Sequence, residues 1–263
     1  MPVDFNSLVD DNGTGTTGTI LDKAEMGTLL VGTVVPDTNT GTIHNWPPTL
    51  TPPRTLIEWS GAADFTCTGL AGGVAGYLVT VKNTGTKVAT FAHASASSSA
   101  ANRFTNVVTS GPTPIAPGGW VTYHHDGTNW KLVGHEQGAW ITPTFAAGVY
   151  TATTGTWTVD AGDESAHAYY VKGKVVFVVG YIVTSSVSAT PASLLVTLPN
   201  GYTIHGGISS VLPAVLASNG TNESGIVTLS PGVSYLAFAR TAGAFVVTTN
   251  TTYLYYSVAV PIT

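Results

Sequence analysis

Charge is scarce in this 263-residue chain: Asp, Glu, Lys and Arg make up 9 % of it, against about 25 % in an average soluble domain. Solubility normally comes from charged surface. The deficit therefore implies a surface covered by copies of the same chain or by partners, with a hydroxyl-rich Thr/Ser/Gly surface as the alternative. Obligate interfaces are core-like and poor in charge, which favours assembly. The nine basic residues are scattered without a cluster, and the net charge is −5. That argues against nucleic-acid binding, which needs a basic stripe to displace counterions. Cys67 stands alone, which excludes an intrachain disulfide and a multi-cysteine zinc site. The thiol is expected as a small core hydrophobe. No apolar run reaches the roughly 18 residues of a membrane helix, and no basic stretch leading into an apolar one marks a secretory signal.

Helix signals are also few. Residues 18–30 (GTILDKAEMGTLL) place Leu21, Glu25 and Leu29 at four-residue spacing, with Asp22 as a possible cap. The rest is rich in Val, Ile, Thr, Tyr and Phe and punctuated by Gly, Asn and Pro, which favours strands and tight turns. The expected class is all-β: two small antiparallel, jelly-roll-like sandwiches behind an extended N-terminal segment.

Four regions separate. Residues 1–46 are polar and Gly/Thr-rich, and the run from Asp10 to Gly18 has too few apolar groups to build a core. Residues 47–53 hold two Pro-Pro pairs, which fix an extended spacer. Residues 54–137 form the middle sandwich. Here Tyr77–Lys82 and Lys87–Ala92 read as a hairpin across Asn83-Thr84-Gly85-Thr86, and Trp120–His124 and Trp130–Val133 as one across Asp126-Gly127-Thr128-Asn129. Residues 138–263 form the last sandwich, with a hairpin turning at Lys172-Gly173. Its second strand, Lys174–Val183 (KVVFVVGYIV), is apolar without alternation, so it should be central and covered on both faces. Further strands are expected at 156–159, 193–198, 208–216, 226–229, 235–239, 244–248 and 253–260. No internal repeat aligns.

Residues capable of chemistry do not combine into a site. His124 and His125 are adjacent on a strand and point to opposite faces, so they cannot easily share an ion. Across a three-fold axis one histidine per chain could still meet. His44, His93, His135, His167 and His205 are isolated in sequence. Asp160, Asp163 and Glu164 lie within five residues. A glycosidase needs two carboxylates flanking a sugar in a cleft, whereas a cluster on a Gly-containing loop reads as a solvated turn. Asp10-Asp11-Asn12-Gly13 lacks the alternating oxygen ligands of a calcium loop. No GxSxG, P-loop or HExxH motif occurs, and Gly72–Gly76 precedes a strand, so it cannot seat phosphate at a helix N-terminus. No catalytic residue, metal ligand or cofactor is assigned. Trp46, Trp59, Trp120, Trp130, Trp140 and Trp157 suit a core, although an aromatic face can also stack on a sugar. A binding surface would sit on loop tips such as 185–191 and 218–224, represented by Ser186, Ser188, Asn219 and Asn222.

Asp10-Asp11-Asn12-Gly13 with Thr17-Gly18-Thr19 and Asp22-Lys23-Ala24 is similar to the virion-attaching N-terminus of bacteriophage tail-fibre and receptor-binding proteins, which the chain resembles along most of its length. Trp59, Asn83-Thr84-Gly85, Ser98–Phe104, Pro117-Gly118 and Asp126–Trp130 resemble a phage β-module. Trp140–Thr144, Tyr170–Ile182 and Leu198-Pro199 resemble a receptor-binding tip. The resemblance implies a non-enzymatic homotrimer on the virion surface, made in the bacterial cytoplasm. Residues 1–46 would anchor it to other virion proteins through Phe5, Leu8, Val9, Ile20 and Leu21. The C-terminal domain would meet a host-surface glycan or protein, without membrane insertion. The chain has no long shaft, which speaks against a polysaccharide depolymerase. A capsid head fibre or decoration protein is the alternative to a tail fibre.

Overall fold

The computed structural model describes residues 33–50 and 53–263. The helix expected at residues 18–30 and the anchor residues Phe5, Leu8, Val9, Ile20 and Leu21 lie outside the described residues. Within them, regular structure is strand, interrupted by three single-turn 3-10 segments.

The first unit is a short parallel coil. β1 (Thr33–Asp37) and β2 (Gly41–Ile43) make one turn, β3 (Arg54–Trp59) and β4 (Phe65–Cys67) the next, and β5 (Leu78–Asn83) and β6 (Ala89–Phe91) the third. Strands β1, β3 and β5 pair in parallel in one sheet; β2, β4 and β6 do so in a second. Gly41, Phe65 and Ala89 stand opposite one another, so a turn takes 24 residues in the second sheet, while in the first Thr33, Thr55 and Val79 align at spacings of 22 and 24. Four further strands complete it. β7 (Phe104–Thr105), β9 (Gly118–His125) and β10 (Trp130–Gly138) extend the first sheet, and β8 (Thr113–Ile115) extends the second. They are antiparallel except for β7, which pairs with β10 in parallel.

Alternation explains the coil locally. In β3, Thr55, Ile57 and Trp59 turn inward, and in β5 Val79, Val81 and Asn83 do the same. The enclosed space is filled by rings: Trp46 meets Phe65 edge-on at 5.3 Å, Trp59 stacks on it at 5.8 Å, and Phe104 lies 4.4 Å from Tyr123. Cys67 stacks in register between Ile43 and Phe91 and is fully buried, as expected of a core thiol.

Three expectations change here. Residues 77–92 are not a hairpin. β5 and β6 belong to different sheets, and Asn83-Thr84-Gly85-Thr86 is a corner between them. The Asn83 amide donates to the carbonyls of Lys87 (2.7 Å) and Ile115 (3.0 Å), and its oxygen accepts from Gly85 N–H (3.0 Å). The unit also begins before residue 54: β1 and β2 supply its first turn, and Trp46 is buried in its core. Pro47–Leu50 therefore belong to a connection between two coil turns rather than to a spacer between domains. The Asp126–Asn129 hairpin is as expected, with Asp126 Oδ1 accepting from Thr128 N–H at 2.8 Å and Asn129 N–H at 3.0 Å.

The second unit is antiparallel. Its strands are β11 (Tyr150–Ala152), β12 (Trp157–Thr158), β13 (Glu164–Lys172), β14 (Val175–Val187), β15 (Leu194–Thr197), β16 (Ser210–Ser218), β17 (Thr221–Leu229), β18 (Tyr235–Arg240) and β19 (Thr248–Pro261). Hydrogen bonding runs in one order, β11-β15-β18-β17-β16-β19-β14-β12, with β13 also on β14. β11 and β12 stand at opposite ends of that order, yet residues 153–156 alone join them. The sheet must therefore curl until its ends meet, and the rings of Tyr150 and Trp157 touch at 5.3 Å. This near-barrel replaces the two-sheet sandwich expected. The strand expected at 244–248 is absent apart from Thr248, where β19 starts. β11 forms at Tyr150–Ala152, where the sequence pattern marks no strand.

The units are joined through polar side chains that point inward. Fully buried Gln137 accepts from Val171 N–H at 2.8 Å and donates to the Tyr169 carbonyl at 3.2 Å. Tyr202 donates to the Pro112 carbonyl, and its ring covers Gly111, where a Cβ would lie 2.7 Å from it.

Candidate functional site

Two places on the second unit are unusual. The first is a cleft of about 480 Å³ between the units, within the range of small-ligand pockets (roughly 300–1,000 Å³). Its coil side is formed by Asp64, Phe65, Thr66, Val88 and Thr90. Thr66 and Thr90 stand opposite each other on β4 and β6, next in line after Thr42 on β2, so their hydroxyls form a ladder leading into it. The barrel side includes Ile141, Thr142, Thr144, Glu164, His167, Tyr169, Leu198 and Asn200.

Glu164 and His167 face the cleft together because of a bulge. Residues three apart on a regular strand point to opposite faces. The register of β13 against β14 shifts between Glu164 and Ala166, which inserts one extra residue and brings both side chains to one side. Tyr150 lies behind them. Its hydroxyl is in hydrogen-bond contact with Glu164 Oε2 and 2.9 Å from His167 Nδ1, which in turn lies 3.7 Å from the carboxylate. A carboxylate can only accept, so the Tyr150 proton goes to Glu164 and His167 Nδ1–H donates to the Tyr150 oxygen. His167 is 5 % exposed, and its Nε2 is buried with no partner. Burial holds its pKa below the ordinary histidine value, against the opposing pull of Glu164. Burial together with the bond to Glu164 raises the Tyr150 phenol well above its ordinary value. Tyr256 adds a buried hydroxyl without a partner; its ring fills the space over Gly180, where a Cβ would come 2.2 Å from Cζ.

The second place is an uncharged outer face. β14 is paired on both edges, by β19 on one and by β12 and β13 on the other, but it is covered on one side only. Val176, Val178 and Ile182 are buried, while Phe177 and Tyr181 are exposed. The expectation of cover on both faces thus fails for the chain by itself. Tyr181 stands opposite Tyr255 on β19, and Tyr255 opposite Val215 on β16. The two tyrosine rings meet edge-on at 6.0 Å, and Tyr255 is 56 % exposed. A groove of about 400 Å³ beside them is lined by Val215, Gly220, Asn222 and Tyr253.

The four residues chosen as receptor-facing come to one end of the barrel. Ser186 Oγ donates to Asn250 Oδ1 and accepts from Asn250 N–H, both at 3.0 Å. The next residue, Thr251, accepts from Gly220 N–H at 2.8 Å, beside Asn219. Two of these four positions are strand rather than loop: Ser186 lies in β14 and Asn222 in β17. Asn219-Gly220, both at positive φ, is a two-residue hairpin turn. Ser188 Oγ accepts from Thr156 N–H at 2.9 Å.

Other candidates separate. Asp163 is a turn carboxylate, bonded to Asp160 N–H at 2.9 Å and Thr184 Oγ1 at 2.6 Å, while Glu164 turns into the cleft. His125 is buried against Trp130 and its neighbour His124 faces outward. Among the described residues no three His, Cys, Asp or Glu side chains converge as metal ligands would. Trp46, Trp59, Trp130 and Trp157 are core residues with bonded indole N–H groups; Trp120 and Trp140 are exposed. Reading the sequence missed the pairing of His167 with Glu164 and Tyr150, for which no spacing signal exists. No protein-family model matches the chain, and no curated protein matches it either.

Proposed function

We propose that this protein is a non-enzymatic structural component of a phage particle: a short trimeric fibre, held to the virion by its N-terminal segment, whose C-terminal unit contacts the host surface. The observation that carries the assembly is the outer face of β16, β19 and β14. Val215, Tyr255, Tyr181 and Phe177 form a continuous uncharged apolar surface on three adjacent strands. Contiguous exposed apolar patches of that kind mark interaction sites. A chain with 9 % charged residues has little to keep such faces apart, and a second copy of itself is the occupant that matches its chemistry. The resemblance of residues 4–24, 59–130 and 140–199 to phage fibre proteins supplies the biological setting. Host contact through several copies would add avidity to weak single sites.

Sedimentation of the full chain at micromolar concentration tests the assembly. The expected species has three times the mass of one chain. A monomer at that concentration overturns the trimer, and a Tyr255→Lys substitution is expected to dissociate it without unfolding either unit.

A further inference from the structure

We propose that the cleft between the two units binds a neutral, hydroxyl-rich ligand, a saccharide, with His167 Nε2 accepting a hydrogen bond from one of its hydroxyls. The inference names a site and a ligand class for the host contact proposed above and rests on that reading for where the ligand comes from.

Three observations carry it. A buried polar atom without a partner is costly in a low-dielectric interior, and His167 Nε2 is such an atom. The proton order of the Tyr150–Glu164 pair leaves this nitrogen a bare acceptor, so its missing partner is a donor. Tyr150 occupies the Nδ1 edge of the ring and does not line the cleft, whereas His167 does, which leaves Nε2 as its unpaired atom beside the cleft. Second, the polar lining is chiefly hydroxyl and amide. The Thr66–Thr90 ladder faces Thr142, Thr144 and Asn200 across the opening, groups that both donate and accept as sugar hydroxyls do. Third, the lining contains Asp64 and Glu164 but no Lys or Arg. An anion would meet repulsion there without a compensating cation. Apolar Val88, Ile141 and Leu198 leave room for the C–H face of a ring.

The test is titration of the full chain with glucose, galactose, N-acetylglucosamine, lactose and maltose, with glucuronate, ethanolamine and zinc as controls. Heat and the 15N resonances of the His167 ring are followed together. At least one neutral sugar is expected to bind at one site per chain and to move the Nε2 resonance, with glucuronate bound about tenfold more weakly or not at all. His167→Phe should weaken binding at least about tenfold. Because that substitution touches the core, Thr144→Trp, at an exposed position of the rim, provides a second block and should abolish binding while leaving the fold intact. Response to none of the neutral sugars overturns the proposal. So does a response confined to ethanolamine or zinc, or sugar binding that survives Thr144→Trp. Sedimentation of the same samples separates the two readings: a trimer that binds no sugar overturns the cleft alone, and a monomer that binds it overturns the trimeric fibre alone.

Discussion

The coil and the barrel solve the same problem, a chain rich in hydroxyls and poor in charge, in opposite ways. The coil turns its polar side chains on itself. Asn83 ties a corner, and Asn106 donates to the carbonyls of Phe91 and Gly111 (both 2.9 Å) while accepting from the Tyr123 hydroxyl (2.9 Å). Its exposed apolar residues, such as Val34, Val74 and Val107, are scattered over separate strands and loops. The barrel keeps unpaired atoms inside, His167 Nε2, Ser218 Oγ, Thr251 Oγ1 and Tyr256 Oη, and lines up apolar side chains outside along β16, β19 and β14. The difference suggests a division of labour. The coil leaves one buried side-chain atom unpaired, His135 Nδ1, whereas the barrel combines several such atoms with an open apolar surface.

The largest effect that can test this comparison is loss of a coil ring. Trp59 is fully buried, stacks on Phe65 and donates to the Asn39 carbonyl at 2.7 Å. Trp59→Ala should cost about 3–5 kcal/mol in denaturant unfolding; a cost near that of a surface change would mean that the coil is not a self-contained core. Next is the seam. Gln137→Ala removes the side-chain partner of Val171 N–H, while the Tyr169 carbonyl keeps Ile141 N–H at 3.0 Å, and should cost about 1–3 kcal/mol. If the units are joined there, unfolding followed by two probes should split into separate transitions.

A paired hydroxyl deletion has a smaller effect and bears most directly on the contrast. Tyr202→Phe removes a hydroxyl bonded across the seam to Pro112 and should cost about 1 kcal/mol. Tyr256→Phe removes one with no partner and should be neutral or stabilising by up to about 1 kcal/mol. Equal losses in both would show that the Tyr256 hydroxyl is satisfied and the barrel interior complete.

The pH dependence should be gentle. His135 in the coil and His167 in the barrel both have pKa values lowered by burial, opposed by the bond to the Pro114 carbonyl and by Glu136 in the first case and by Glu164 in the second. Unfolded histidines titrate near 6.5. Below that value the unfolded chain therefore holds more protons than the native one. The stability contributed by the neutral rings is present above about pH 6.5 and is lost as pH falls through it toward the native values. Thermal midpoints should fall from pH 7.5 to pH 5, and His135→Gln should flatten part of the slope. A midpoint rising over that interval would contradict the buried neutral state.

Local chemistry was legible in the sequence wherever one segment decides the outcome. The all-β class, the hairpins at Asp126–Asn129 and Lys172-Gly173, the opposite faces of His124 and His125, and the core role of Cys67 follow from propensity, turn residues and strand alternation. The coil was not legible because Asn-x-Gly chemistry serves a corner as well as a hairpin. Register with β3 and β4, far away in sequence, made Asn83–Thr86 a corner. The apolar run of β14 determined that a strand would form and that it would be paired on both edges; whether both faces are covered depends on what packs there, and in this chain one face is open. The candidate site lay furthest from the sequence. Glu164, His167 and Tyr150 meet because a single-residue bulge rotates one side chain and the barrel closes β11 against its far end, and both are decided by register in the tertiary structure.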